Sequence, residues 1–188
     1  MKDFSTLALR RRGGRLELLD QTRLPKDEFW HKVENHEQMI AHIKSLAVRG
    51  APLIGVAAAL ALAQENSGIP EKAKALREAR PTAVNLMNAI DRMLAAHEKG
   101  VDLRAEAEAI LEEDIALCRR MSERAAGFLE GGILTHCNTG GLATAGIDEA
   151  ASRIAAEILQ RRFQFAQAYP DRLQARRIGF NAVLLDLA

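Results

Sequence analysis

"VRGAPLIGVAAALALAQE", residues 48–65, holds the most apolar segment of the chain and decides its class. Gly50 breaks the preceding element. Pro52 suits the first turn of a new helix, where its missing amide would have no partner in any case. From Leu53 to Ala63 nearly every side chain is apolar, so no face is left for water, and the helix must be buried among other elements. Ala51–Ala63 is too short to cross a bilayer and rich in alanine, which speaks against a membrane partner.

The rest of the chain reads outward from this helix. "STLALRRRGGRLELLD", residues 5–20, alternates on both sides of Gly13-Gly14 and predicts two short strands around a turn. "QTRLP" is then expected to exit into a helix. Phe29, Trp30, Val33, Ile40, Ile43 and Leu46 have largely helical spacing, which predicts a helix from Asp27 to about Leu46. "SGIP" ends the buried helix. Pro81 stands where a further helix should begin and Gly100 where it should stop. Asp102 is a plausible cap for a long helix reaching about Glu130, with Leu103, Ile110, Leu111, Leu117, Met121 and Phe128 facing inward. Beyond Gly131-Gly132, "ILTHC" reads as a buried strand, "NTGG" as a turn, and the segment after Leu142 as helical until Tyr169-Pro170.

These elements predict an α+β chain. Residues 1–130 form a mostly helical domain with a small N-terminal β-hairpin or sheet. Residues 131–188 form a strand–Cys–turn–helix segment, the start of an α/β unit that is not completed, and a tail. Apolar residues make up 48% and charged residues 27%, which supplies a core and argues against disorder. Lys and Arg number 26 against 25 Asp and Glu, so no bulk electrostatic case exists for nucleic acid. The cluster Arg10, Arg11, Arg12 and Arg15 reads as a solvated hairpin end. Two cysteines, Cys118 and Cys137, lack metal-ligand spacing, so neither a disulfide framework nor a metal is expected. No targeting segment is visible at the amino terminus, and a cytoplasmic protein is the default expectation.

Three places carry possible chemistry. "Val48-Arg49-Gly50-Ala51-Pro52" and "Ala79-Arg80-Pro81-Thr82" each put an arginine before an expected helix start. First-turn amides lack internal partners and the helix dipole is positive there, so such places suit phosphate or carboxylate. The plainer reading is a helix start with a surface arginine. Cys137 is the third place. A thiol between a strand and a glycine turn lies near a helix N-terminus, which favours its thiolate and suits it to acid/base or nucleophilic work. His136 is its neighbour, although alternation along a strand turns the two apart. A buried structural cysteine is the alternative. Cys118 falls on an apolar helix face and reads as core. His31, His36, His42 and His97 read as surface or satisfied groups, and Phe29 and Trp30 as core rather than an apolar substrate pocket.

"LLDQTRLP", "IKSLAVRGAPLIGVAAALALA", "RPTAVNL" and "ILTHCNTGGLATAG", in this order over residues 7–146, resemble the S-methyl-5-thioribose-1-phosphate isomerases of methionine salvage. These sit in a wider family with ribose-1,5-bisphosphate isomerase and the regulatory subunits of the eukaryotic initiation-factor nucleotide exchanger. The resemblance implies a helical N-terminal domain followed by a Rossmann-like domain, with the substrate between them. It implies aldose–ketose isomerisation of a small phosphorylated sugar without metal or organic cofactor. Arg49, Gly50 and Ala51 match the loop that contacts the sugar phosphate, Arg80 the second anion-binding arginine, and Cys137 the catalytic cysteine. It also suggests a homodimer. No segment matches the second-domain catalytic aspartate, the likeness is expected to stop after Gly146, and the Rossmann-like domain is absent from these residues. Weak activity, or a non-catalytic binding or assembly role like that of the regulatory subunits, is the corresponding expectation.

Overall fold

The computed structural model describes residues 1–126 and 140–146. Four strands, β1 (Phe4–Ser5), β2 (Leu9–Arg12), β3 (Arg15–Leu19) and β4 (Trp30–Val33), form an antiparallel sheet in chain order. Gly13 and Gly14 make the β2–β3 turn with φ of 56° and 80°. Leu9 pairs with Leu18, and Leu16 with Val33. All four are buried and form the sheet's inner face. On the outer face Arg10 pairs with Glu17 at 2.5 Å, and its guanidinium lies 3.9 Å over the Trp30 ring.

Five helices follow: α1 (His36–Lys44), α2 (Ala51–Leu62), α3 (Ile69–Arg77), α4 (Val84–Glu98) and α5 (Leu103–Ala126). α2 is the centre. Every residue from Leu53 to Leu62 is buried, and α1, α3, α4 and α5 all pack on it. Its small side chains let neighbours come close. A Cβ on Gly55 would lie 2.6 Å from the Asn85 carbonyl oxygen, so α4 starts directly against the second turn of α2.

The expected hairpin, the buried helix, the stop at Gly100 and the Asp102 cap are all present. Gly100 has φ 69°, and Asp102 Oδ1 accepts from the Arg104 amide at 3.0 Å. Cys118 is buried.

Several expectations are corrected. "QTRLP" leads into turns, with a cis Leu24–Pro25 bond, and not into a helix. The expected helix from Asp27 to Leu46 is strand β4 followed by the shorter α1. Asn35 separates them: its Oδ1 accepts from the Gln38 amide at 2.9 Å, and Gln38 Oε1 accepts from the Glu34 amide at 2.8 Å. This exchange caps α1 and ends the strand. "SGIP" opens α3, with Pro70 in its first turn, and does not merely end α2. Pro81 lies in a turn closed by the Ala83 amide on the Arg80 carbonyl at 2.9 Å. α4 therefore begins three residues later than expected, at Val84. Phe29 is 41% exposed and Trp30 half-buried, so neither is core. Leu117 and Met121 are 46% and 53% exposed, although helical spacing turned them inward. A helix of 24 residues is about 36 Å long, about twice the length of α2, so its far half runs past the helix it packs on. Phe128 lies outside the described residues.

Candidate functional site

The site assembles at the N-terminal mouth of α2. Gly50 is the N-cap, with φ 106°, a conformation open to glycine. Space demands glycine as well, since an added Cβ would lie 2.4 Å from Ala143 Cα and 2.6 Å from its carbonyl oxygen. Residues 140–146 therefore lie on the Gly50 backbone. The Leu53 amide donates to the Ala143 carbonyl at 3.1 Å, and the Ala143 amide closes a turn on the Gly140 carbonyl at 2.9 Å. The other end of this segment is tied to α5: the Ala145 amide donates to Asp114 Oδ2 at 2.7 Å. Burial pushes the Asp114 carboxyl above its ordinary range, and the Ala145 hydrogen bond opposes that shift.

Gln21, 2% exposed, joins the two loops. Its Nε2 donates to the Leu142 carbonyl at 2.8 Å and to the Arg49 carbonyl at 3.4 Å. The Gln21 amide donates to the Ala47 carbonyl at 2.9 Å. Arg49 is half-buried. Its Nη2 reaches the Gln21 carbonyl at 3.5 Å, at the limit of a useful bond, and its buried Nε has no partner among the described residues. Gly50 and Ala51 keep amides without partners among the described residues, whereas the Leu53 amide is spent on Ala143 and Pro52 has none. The helix mouth thus offers fewer free donors than a bare N-terminus would.

Arg80 is half-buried in the α3–α4 turn, and among the described residues its side chain has no hydrogen-bond or ion-pair partner. No hydrogen bond among those residues joins it to Arg49. The link is indirect, through the start of α4 against Gly55. Cys137 and His136 lie outside the described residues; residues 140–146, where a helix near Leu142 was expected, are a turn and bend instead, and this segment is the part docked on Gly50.

A cavity of about 300 Å³ opens beside this mouth between α2, α4 and α5, lined among others by Pro52, Gly55, Asn85, Arg92, Glu113 and Asp114. Neither Arg49 nor Arg80 lines it. Arg92 bridges Glu106 and Glu113, and the hydrogen bonds it donates to the Glu113 and Glu106 carboxylates raise the guanidinium's pKa. Among the described residues no three His, Cys, Asp or Glu side chains gather to hold a metal, and no helix is long and apolar enough to cross a membrane. His31 and His36 are satisfied and His97 is exposed, as expected. His31 Nε2 meets Asp20 Oδ2 at 3.0 Å and its ring packs 4.4 Å from His42; His36 Nδ1 meets Glu65 Oε1 at 2.8 Å.

Sequence reasoning missed Gln21 and Asp114 as site groups. Gln21 lies within "LLDQTRLP", where a strand ends in consecutive polar residues that the core must accommodate. Asp114 sits one helical turn after Leu111 and one before Cys118, both buried, and so near the core face of α5.

These features define an α+β domain in which a small antiparallel sheet backs a helical bundle, and two loops meet at the mouth of its buried helix. The chain belongs to the initiation factor 2 subunit family, whose model matches residues 47–164. The match continues past Gly146, where the likeness was expected to end. A methylthioribose-1-phosphate isomerase of Serratia proteamaculans (strain 568) is 45% identical over 161 residues, covering 80% of this chain and 47% of the relative. One from Klebsiella pneumoniae (strain 342) is 43% identical over 166 residues, covering 82% and 48%. The crystal structure of 5-methylthioribose 1-phosphate isomerase from Pyrococcus horikoshii OT3 superposes with a TM-score of 0.70 at 30% identity, covering 81% of this chain and 49% of that one. The translation initiation factor eIF-2B subunit delta from A. fulgidus gives a TM-score of 0.62 at 37% identity, covering 76% and 48%. The chain spans about half the length of the curated relatives it matches.

Proposed function

We propose that this chain carries the phosphate-binding part of an aldose–ketose isomerase that converts 5-methylthioribose 1-phosphate to 5-methylthioribulose 1-phosphate in methionine salvage. The observation that carries the reading is the docking of residues 140–146 on Gly50. It brings the loop that follows Cys137 against the loop that bears Arg49. The similarity to methylthioribose-1-phosphate isomerases supports the choice of substrate.

In this reading the Arg49 guanidinium and the Gly50 and Ala51 amides hold the phosphate, and Arg80 supplies a second positive charge. The reaction is an isomerisation, so every atom is kept. The C1–O4 ring bond breaks and O4 takes a proton. One hydrogen moves from C2 to C1, and the hydroxyl proton on C2 departs as the ketone forms. Cys137 is the acid/base group for these transfers and no metal or organic cofactor takes part. The protein acts as a homodimer.

The test is conversion of 5-methylthioribose 1-phosphate, followed by ketose formation, beside calorimetric binding of the same compound. Turnover lost in Cys137→Ser with binding retained supports the reading. Turnover that survives the substitution removes the cysteine from the mechanism. No binding by the unaltered chain overturns the reading altogether. A second reading, a non-catalytic assembly module, is favoured by the likeness to the initiation-factor subunit. It predicts binding without turnover and a Cys137 thiol no more reactive than a free one.

A further inference from the structure

We infer that Gln21 is the positioning residue that fixes the Arg49 loop and the turn following Cys137 in one register, an inference that rests on the proposed isomerase reading. The side chain is 2% exposed and leaves the sheet beyond β3. Its one NH2 group donates to carbonyls from loops far apart in sequence, Arg49 at 3.4 Å and Leu142 at 2.8 Å. The Gln21 backbone carbonyl is the acceptor within reach of Arg49 Nη2, at 3.5 Å. One residue thus touches the first loop at its backbone and its guanidinium, and the second loop at the residue beside Ala143.

A buried amide facing two carbonyls has no equivalent among apolar side chains, and removing it strands both acceptors away from water. Loops held this way keep their spacing, and an acid/base group misplaced by about 1 Å relative to a bound phosphate loses much of its rate. Gly50 lets the loops approach, the Leu53–Ala143 bond sets the contact, and Gln21 prevents it from sliding. Gln21 itself need not touch substrate.

Two variants separate positioning from folding. Gln21→Met keeps length and burial without the amide. Gln21→Glu keeps the shape but turns a carboxylate toward two carbonyls and offers Arg49 an intramolecular partner. The first measurement needs no substrate: amide hydrogen exchange by NMR in the unaltered chain and both variants. Exchange at Leu53 and Ala145 is expected to rise about tenfold or more in both variants, while Ile90 and Met93 in α4 stay unchanged. Unchanged exchange at Leu53 and Ala145 overturns the clamp, whatever the chain binds. A rise spread equally over α4 reports general loosening and also overturns it.

The second measurement is the affinity for 5-methylthioribose 1-phosphate and the protection it gives Cys137 against iodoacetamide. Both variants are expected to bind about tenfold more weakly and to lose the protection, with Gln21→Glu worse than Gln21→Met. Binding and protection equal to the unaltered chain, despite faster exchange at Leu53 and Ala145, overturn the positioning role. An unaltered chain that binds no phosphosugar overturns the isomerase reading and takes the positioning role with it, while the exchange data still judge the clamp.

Discussion

Gly50 and Ala143 are in backbone contact: a Cβ on Gly50 would sit 2.4 Å from Ala143 Cα. Glycine is required twice here, by φ of 106° and by the absence of room. Gly50→Ala should therefore destabilise the chain by about 3 kcal/mol, combining the cost of positive φ for an L-residue with that of overpacking against backbone that cannot rotate away. Gly13→Ala is the internal control. Gly13 has φ 56° but nothing within 4 Å of the added carbon, so only the conformational cost of about 1 kcal/mol is expected. Urea unfolding of the two variants checks the difference.

Gly55→Ala should separate the two helix starts. The added methyl would meet the Asn85 carbonyl oxygen at 2.6 Å and Ala89 Cβ at 3.3 Å. A helix carbonyl moves only with its helix, so α4 must retreat, at a cost of about 2 kcal/mol. The retreat also carries the Arg80 turn away from the α2 mouth. If Arg80 shares an anion with Arg49, phosphate affinity measured by calorimetry falls along with stability; unchanged affinity shows that the two arginines act apart.

How much of this was legible in the sequence depended on whether the signal was local. α2 was legible because an apolar run admits one solution, burial, and Pro52 marks its start. The β2–β3 hairpin was legible from alternation around Gly13-Gly14. β4 was not, because Phe29, Trp30 and Val33 fall at spacings that a helix also allows, and the Asn35 cap that divides strand from helix was overlooked. Leu117 and Met121 follow helical period faithfully, yet period fixes a face and not what stands opposite it. Arg49 and Gly50 were legible as the approach to a helix start, but not the partner that needs Gly50 bare. Ala143 lies far along the chain, and Gln21 and Asp114 act on it through single hydrogen bonds that have no period.

Glu65 gives the fold an acid-sensitive tie. Burial alone would raise its carboxyl, but hydrogen bonds from Lys72, the His36 amide and the His36 ring outweigh burial and bring the pKa down to about 2. The folded value lies below the unfolded one. The stabilisation is thus complete above the ordinary glutamate value of 4.5 and is lost as pH falls toward 2. A shift of this size corresponds to about 3 kcal/mol, and partial exposure of Lys72 reduces it to about 1–2 kcal/mol. Glu65→Gln should lower stability at pH 7 and flatten the acid limb of a pH–stability curve. Parallel curves for the two proteins between pH 5 and 2 would rule the tie out.

Arg49→Lys should weaken phosphosugar binding about tenfold while leaving the unfolding midpoint nearly unchanged. The guanidinium has a buried Nε without a partner among the described residues and only a 3.5 Å contact at Nη2, so most of its donors are unspent on the fold. An ammonium keeps the charge but not the planar fork. Calorimetry with 5-methylthioribose 1-phosphate reads the affinity. Equal affinity would mean that charge alone matters at this position.

Leu46 is strained where glycine would serve. It follows the Ser45 C-cap of α1 with φ 64°, is 42% exposed, and donates its amide to the Ile43 carbonyl at 3.3 Å. Helices commonly end on glycine in this left-handed conformation because a Cβ is penalised there. Leu46→Gly should relieve that penalty, with part of the gain offset by lost side-chain contact and a freer unfolded chain, for a net stabilisation of about 1 kcal/mol. Thermal unfolding reads it as a rise in midpoint. Leu46 stands three residues before Arg49, so the same variant asks whether the strain serves the site. If phosphosugar affinity is unchanged as stability rises, the leucine is a local imperfection. If affinity falls as stability rises, the left-handed leucine is part of how the Arg49 loop is aimed, and strain at the end of α1 is being used at the mouth of α2.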